Sequence, residues 1–142
     1  MDERAQRMEA LPMGHREEHT KTITQADVAN FLTISGDLNP LYINEVAAKR
    51  AGERGMVVPS ALLVGIVSAV MAKMTAHVPP PGGVSYRYAL TALKPVLPGE
   101  TVTASLEVIG KDVLRHEIYF NANCYTASGE KVMEGQTTLK VL

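Results

Sequence analysis

One cysteine, Cys124, stands in a chain of 142 residues, so no intramolecular disulfide can form. Such cysteine usage is compatible with a reducing, cytoplasmic setting. Within an alternating strand pattern, Cys124 reads as a buried small apolar residue rather than a reactive thiol. No Lys/Arg block is present and the net charge is −1, which argues against nucleic-acid binding. The longest apolar run, residues 61–72, contains Gly65 and Ser68 and is followed by Lys73. It is too short to span a bilayer, so no membrane anchor is expected. The opening residues carry Asp2, Glu3, Arg4, Arg7, Glu9, Arg16, Glu17 and Glu18 without an apolar core, unlike a signal peptide. His15, His19, His77 and His116 are scattered, with no metal-ligand spacing to Cys, Asp or Glu on one element. No metal site is expected from them. Residues 79–83 hold glycines but no following Lys-Ser/Thr, so they do not form a phosphate loop.

What is present is ordinary globular material, 46% hydrophobic and 20% charged, enough for one domain with a core. Residues 1–15 read as a flexible arm and 16–142 as a single domain. A short strand is expected over 19–23. Thr24-Gln25-Ala26-Asp27 then opens a helix, with Thr24 as cap and Asp27 completing a capping-box-like pattern. Gly36 ends that helix. A second helix spans about 45–51. Pro59-Ser60 starts a third, running to about Thr75 and apolar on nearly every side, as in a helix wrapped by other structure. After the break at Pro79-Pro80-Pro81-Gly82-Gly83 the period changes. Four β-rich stretches, 84–96, 101–109, 113–125 and 131–142, are separated by turn signals. They imply an antiparallel meander curved around one helix, an α+β architecture.

The densest chemistry is in Ser35-Gly36-Asp37-Leu38-Asn39-Pro40-Leu41-Tyr42. A carboxylate, an amide and a proline turn follow an apolar helix directly, which places a fixed acidic group at the mouth of a pocket. This block resembles the hydratase-2 motif of the MaoC-like, (R)-specific enoyl-CoA hydratases. Three later stretches resemble that family in the same order. They are Gly55-Met56-Val57-Val58-Pro59-Ser60, the run from Ala92 through Lys94-Pro95 to Val102, and Gly129-Glu130-Lys131-Val132-Met133-Glu134-Gly135.

The resemblance implies a hot-dog fold, a sheet wrapped around a long central helix. It implies an acyl thioester of coenzyme A or acyl carrier protein as substrate, and no cofactor. It also implies a homodimer, or a heterodimer with a related hot-dog subunit. The family reaction is reversible syn addition of water across a 2-enoyl thioester, giving the (R)-3-hydroxyacyl thioester of fatty-acid metabolism. Water must be activated next to C3, a proton delivered to C2, and fixed donors aimed at the thioester oxygen as charge develops there. By resemblance, Asp37 matches the catalytic Asp and Asn39 the family's Asn. The Ser60 backbone N–H matches the oxyanion donor, and Ser68 falls where a pocket-lining serine can sit.

Two positions depart from the pattern. Tyr42 stands where the catalytic His is expected, and Pro59-Ser60 replaces the usual His-Gly. Both changes move toward dehydratase-like subunits that lack the His and pair with a catalytic partner. A phenol with a reference pKa of ~10 is a poor general base near neutrality, though it can donate a hydrogen bond. Each residue also has a plainer reading. Asp37 can be a turn aspartate, Asn39 a loop brace, Tyr42 a packed tyrosine, Ser60 a helix N-cap and Ser68 a helix-packing residue. His116 is a conceivable substitute base. The leading expectation is an enoyl-thioester hydratase or 3-hydroxyacyl dehydratase using Asp37, Tyr42 and Ser60. The rivals are a non-catalytic thioester-binding subunit and a thioesterase.

Overall fold

The computed structural model describes residues 2–142. The sixteen-residue helix α5 (Ser60–Thr75) is the organising element. Four shorter helices precede it: α1 (Glu3–Met8), α2 (Gln25–Ser35), α3 (Pro40–Ile43) and α4 (Glu45–Arg50). Among the described residues five strands form one antiparallel sheet: β1 (Arg16–Thr22), β2 (Gly83–Ala92), β3 (Thr101–Asp112), β4 (Glu117–Thr126) and β5 (Lys131–Val141). Their spatial order is β1-β3-β4-β5-β2, so α5 carries the chain from one sheet edge to the other. The architecture is α+β, and the central helix begins and ends where Pro59-Ser60 and the proline run predict.

Alternation decides which side of the sheet meets α5. In β3, Val102, Ala104, Leu106 and Val108 are buried, and in β4, Ile118, Phe120, Ala122 and Cys124. Side chains two apart share a face, so these form one apolar surface. Against it α5 buries Leu63, Val67, Val70, Met71 and Met74. Cys124 is fully buried, and burial pushes its thiol up to about 11. The opposite face of the sheet carries polar pairs such as Thr20–Thr103 and Thr22–Thr101, each 2.7 Å between hydroxyls.

Three expectations need correction. Residues 1–15 are not a loose arm. Asp2 caps α1 by accepting the Ala5 N–H at 2.7 Å, and Ala5, Met8 and Leu11 are 3%, 1% and 0% exposed. The charged residues between them occupy the other side of the segment and mask this short apolar stripe. Lys111 also donates to the Met8 carbonyl, and the Gly14 N–H to that of Val108. Gly110-Lys111-Asp112 is not a turn. It continues β3 through a register shift between Val108 and Gly110, and the chain reverses over residues 113–116. His116 therefore lies in that turn, at φ 58°, rather than within a strand. Finally, α5 is covered on one side only. Ala61, Gly65, Ser68 and Ala72 form an exposed stripe of small residues.

Met8 and Leu11 belong to the core, so Leu11→Ala should cost about 2–5 kcal/mol in denaturant unfolding, as for other core truncations. An unchanged midpoint would return the segment to the status of an arm. A second expectation concerns α2. Its capping box is complete, and the Lys21 ammonium lies 2.8 Å from Asp27, whose carboxyl is lowered from 3.8 to about 2. The folded pKa lies below the unfolded one, so this contribution is full above pH 3.8 and fades as pH falls toward 2. The stability difference between wild type and Asp27→Asn, followed by denaturant unfolding, should shrink over that window.

Candidate active site

The acidic motif forms a sequence of local caps. Gly36 adopts φ 73° at the end of α2, where its N–H donates to the Leu32 carbonyl at 2.8 Å. A left-handed conformation of this kind favours glycine. The turn that follows is held by side chains. Asp37 Oδ1 accepts the Asn39 N–H at 3.3 Å, and Asn39 Oδ1 accepts the Leu41 N–H at 3.0 Å. Asn39 thereby caps α3, with Pro40 at its first helical position. These bonds fix where Asp37 leaves α2 and where Tyr42 enters the fold.

One backbone bond joins this turn to the segment that leads into α5, and a second joins that segment to the β2–β3 connection. The Val57 N–H donates to the Leu41 carbonyl at 3.0 Å, and the Val58 N–H to the Val96 carbonyl at 2.7 Å. The result is a cavity of about 270 Å³ between α3, the start of α5 and the connection from β2 to β3. Tyr42 and Ser60 both line it, together with Glu53, Leu63 and the segment from Ala92 to Val96. Asp37 is exposed and is not one of the lining residues. It nevertheless lies near enough to Tyr42 to act on it. Burial first, and then the Asp37 charge, raise the Tyr42 phenol above its ordinary value. Tyr42 is therefore a proton-bearing donor at neutral pH and not a base.

The N-cap of α5 is Pro59, so Ser60 is the first helical residue and not the cap. No side chain among the described residues caps this end. Its opening N–H groups and the positive end of the helix dipole remain free to meet a negatively charged oxygen.

The remaining candidates lie elsewhere. Ser68 is exposed in the small-residue stripe of α5 and does not line the Tyr42–Ser60 cavity. His116 is not a substitute base there. Its ring nitrogens face Asp2 and Arg4, 3.2 Å away in each case, at the N-terminal segment. Sequence reasoning missed Glu53 and Lys94 as parts of the cavity wall. Lys94 lay within a stretch matched to the family, but nothing in its spacing marked it as a wall residue.

The family described as "MaoC like domain" matches residues 8–129. An (R)-specific enoyl-CoA hydratase of Rhodospirillum rubrum is 31% identical over 94% of this chain and 90% of its own length. A 3-hydroxybutyryl-CoA dehydratase of Methylorubrum extorquens is 29% identical over 94% and 82%. The structure of an (R)-hydratase from A. caviae superposes with a TM-score of 0.82. It covers 93% of this chain and 98% of that one at 24% identity, a likeness of fold. The sheet curled onto α5 is thus the hot-dog fold. With the family match spanning most of its length, the chain belongs to the MaoC-like domain family.

Proposed function

We propose that this protein is an (R)-specific enoyl-CoA hydratase or 3-hydroxyacyl thioester dehydratase. The observation that carries the reading is the convergence of Tyr42 and the uncapped start of α5 on one cavity, with the Asp37 charge acting on Tyr42. The Asp37 carboxylate takes a proton from water as the water oxygen bonds to C3 of the enoyl thioester. The π electrons move to the thioester oxygen, which the Ser60 N–H stabilises as an enolate oxygen. Collapse of the enolate takes the proton to C2 and regenerates the Asp37 carboxylate. Tyr42 donates a hydrogen bond that positions the water or supports the thioester oxygen.

The acyl group is carried on coenzyme A or acyl carrier protein. A second hot-dog subunit, identical or related, is the partner this reading calls for. It would cover the exposed small-residue stripe of α5 and the β2 edge, where Val84 and Tyr86 are 48% and 52% exposed. The raised pKa of Tyr42 supports one rival, a thioester-binding subunit without its own base.

Hydration of crotonyl-CoA and longer 2-enoyl-CoAs, followed as loss of enoyl absorbance, is the direct test. A folded protein that turns over none of them would sink the enzymatic reading. If it still binds acyl-CoA, the subunit reading takes its place, whereas release of free thiol would select a thioesterase. Asp37→Asn should lower kcat by about 10²–10⁴-fold, the usual contribution of a general acid–base group. Equal activity in that variant would remove Asp37 from the mechanism. Tyr42→Phe loses one hydrogen bond, worth about 0.5–1.5 kcal/mol, so kcat should fall by roughly 2- to 12-fold. Because Tyr42 ionises above its ordinary 10.0, the shape of the pH–rate profile below that value should be the same in wild type and variant. A falling limb below pH 10 that disappears in Tyr42→Phe would show that Tyr42 titrates in the working range.

A further inference from the structure

Three donor atoms from two distant parts of the chain meet at the far end of α5. Glu17 lies in β1, His15 immediately precedes that strand, and His77 follows the last turn of α5. His15 Nε2 is 2.5 Å from Glu17 Oε2, and His77 Nε2 is 2.8 Å from the same oxygen. Their ligand atoms all lie within 4.8 Å of one another, and the two rings meet edge to face with centroids 4.9 Å apart. We propose that His15, Glu17 and His77 form a binding site for one divalent transition-metal ion of the zinc class, which clamps the end of α5 onto β1.

The donor set selects the ion. Two imidazoles and one carboxylate suit zinc and its first-row neighbours, whereas calcium and magnesium take mainly oxygen. Three protein ligands leave a fourth position for water. At metal–ligand distances of about 2.0–2.1 Å, tetrahedral geometry spaces the donor atoms by about 3.3 Å. The contacts of 2.5 and 2.8 Å open by less than about 1 Å, and the two imidazole nitrogens, at most 4.8 Å apart, close by no more than about 1.5 Å, to admit the ion.

The backbones that carry the donors are already fixed. The Val108 N–H donates to the His15 carbonyl at 3.0 Å, and Glu17 pairs in register with Leu106 of β3. The His77 N–H donates to the Met74 carbonyl at 3.1 Å, and the adjacent Val78 is buried. Access remains open, because the side chains of His15, Glu17 and His77 are 29%, 23% and 45% exposed.

Charge favours a cation here. Glu17 contributes a carboxylate, and the negative end of the α5 dipole lies beside His77. The opposing charge is Lys73, one turn back, whose ammonium is held on the Glu18 carbonyl. Ser60 and Thr75 stand at opposite ends of α5, about 22 Å apart at 1.5 Å per residue. An ion here acts on the fold and not on the chemistry of the Tyr42–Ser60 cavity.

The test is titration of chelator-treated full-length protein with Zn²⁺ alone, by calorimetry and by competition with a chromogenic chelator, alongside thermal melts. One ion per chain and a higher melting temperature with Zn²⁺ are expected. The double variant His15→Gln/His77→Gln should weaken binding by at least the roughly 10- to 100-fold that loss of an outer-shell partner costs. Glu17→Gln, which keeps the side-chain shape, should do likewise if the double variant fails to fold. His116→Gln, at the Asp2 pair, should leave binding intact. Absence of stoichiometric binding would overturn the proposal. So would undiminished affinity in folded ligand variants, or loss of binding in His116→Gln.

Discussion

Burial of the inner flank of α5 against the sheet is the contact on which the rest of the structure depends. Val67, Val70, Met71 and Met74 are wholly withdrawn from water. Each such side chain is worth about 1.5–3 kcal/mol when buried. Four of them approach the whole net stability of an ordinary domain, about 5–15 kcal/mol, before the ordering of the chain is charged against them. Thr137 also brings its hydroxyl within 3.0 Å of the Met71 sulfur, so even a polar residue of β5 is fitted to the helix. The sheet lies on this face, and the segments that line the Tyr42–Ser60 cavity are assembled around what it leaves uncovered.

That packing also fixes where the two ends of α5 emerge. The N-terminal end opens beside α3 and the β2–β3 connection, where no side chain among the described residues caps it. The C-terminal end returns to β1, where two imidazoles share one carboxylate. The acidic turn reaches the first end through the bond that the Val57 N–H donates to the Leu41 carbonyl, and the Val58 N–H ties the same segment to the Val96 carbonyl. Asp37 and Tyr42 are thereby held by elements that the core has already placed. The charge of Asp37 and the burial of Tyr42 act in the same direction on the phenol. The local chemistry is that of a donor beside a carboxylate.

Much of this was legible in the residues themselves. Proline at each end and an apolar interior marked α5, and turn residues marked three of the strand boundaries. The acidic motif pointed to the family by its resemblance to the hydratase-2 motif, and in the fold its side chains cap the turn and α3 in succession. Other features depend on contacts that no local pattern carries. Met8 and Leu11 lie in a charged stretch, and their burial follows from the sheet surface they meet. The apolar run of α5 suggested a helix enclosed all round, yet the exposed positions are the small ones, Ala61, Gly65, Ser68 and Ala72. His15 and Glu17 are more than fifty residues from His77, and only the return of α5 onto β1 brings them together. Ser68 and His116 were drawn toward the pocket by analogy and by chemistry, and both lie elsewhere.

The position of Cys124 bears on how the chemistry of this chain can be watched. It is the chain's one sulfhydryl, sealed in β4 beneath the helix, with an ionisation near 11. At mildly alkaline pH only about one molecule in a thousand would carry the nucleophilic thiolate, and that sulfur has no open path to a reagent. A chromogenic disulfide added to the native protein should therefore give a silent baseline. Any colour that develops in the presence of an acyl-CoA would come from coenzyme A set free, and a slow rise without substrate would report the opening of the core.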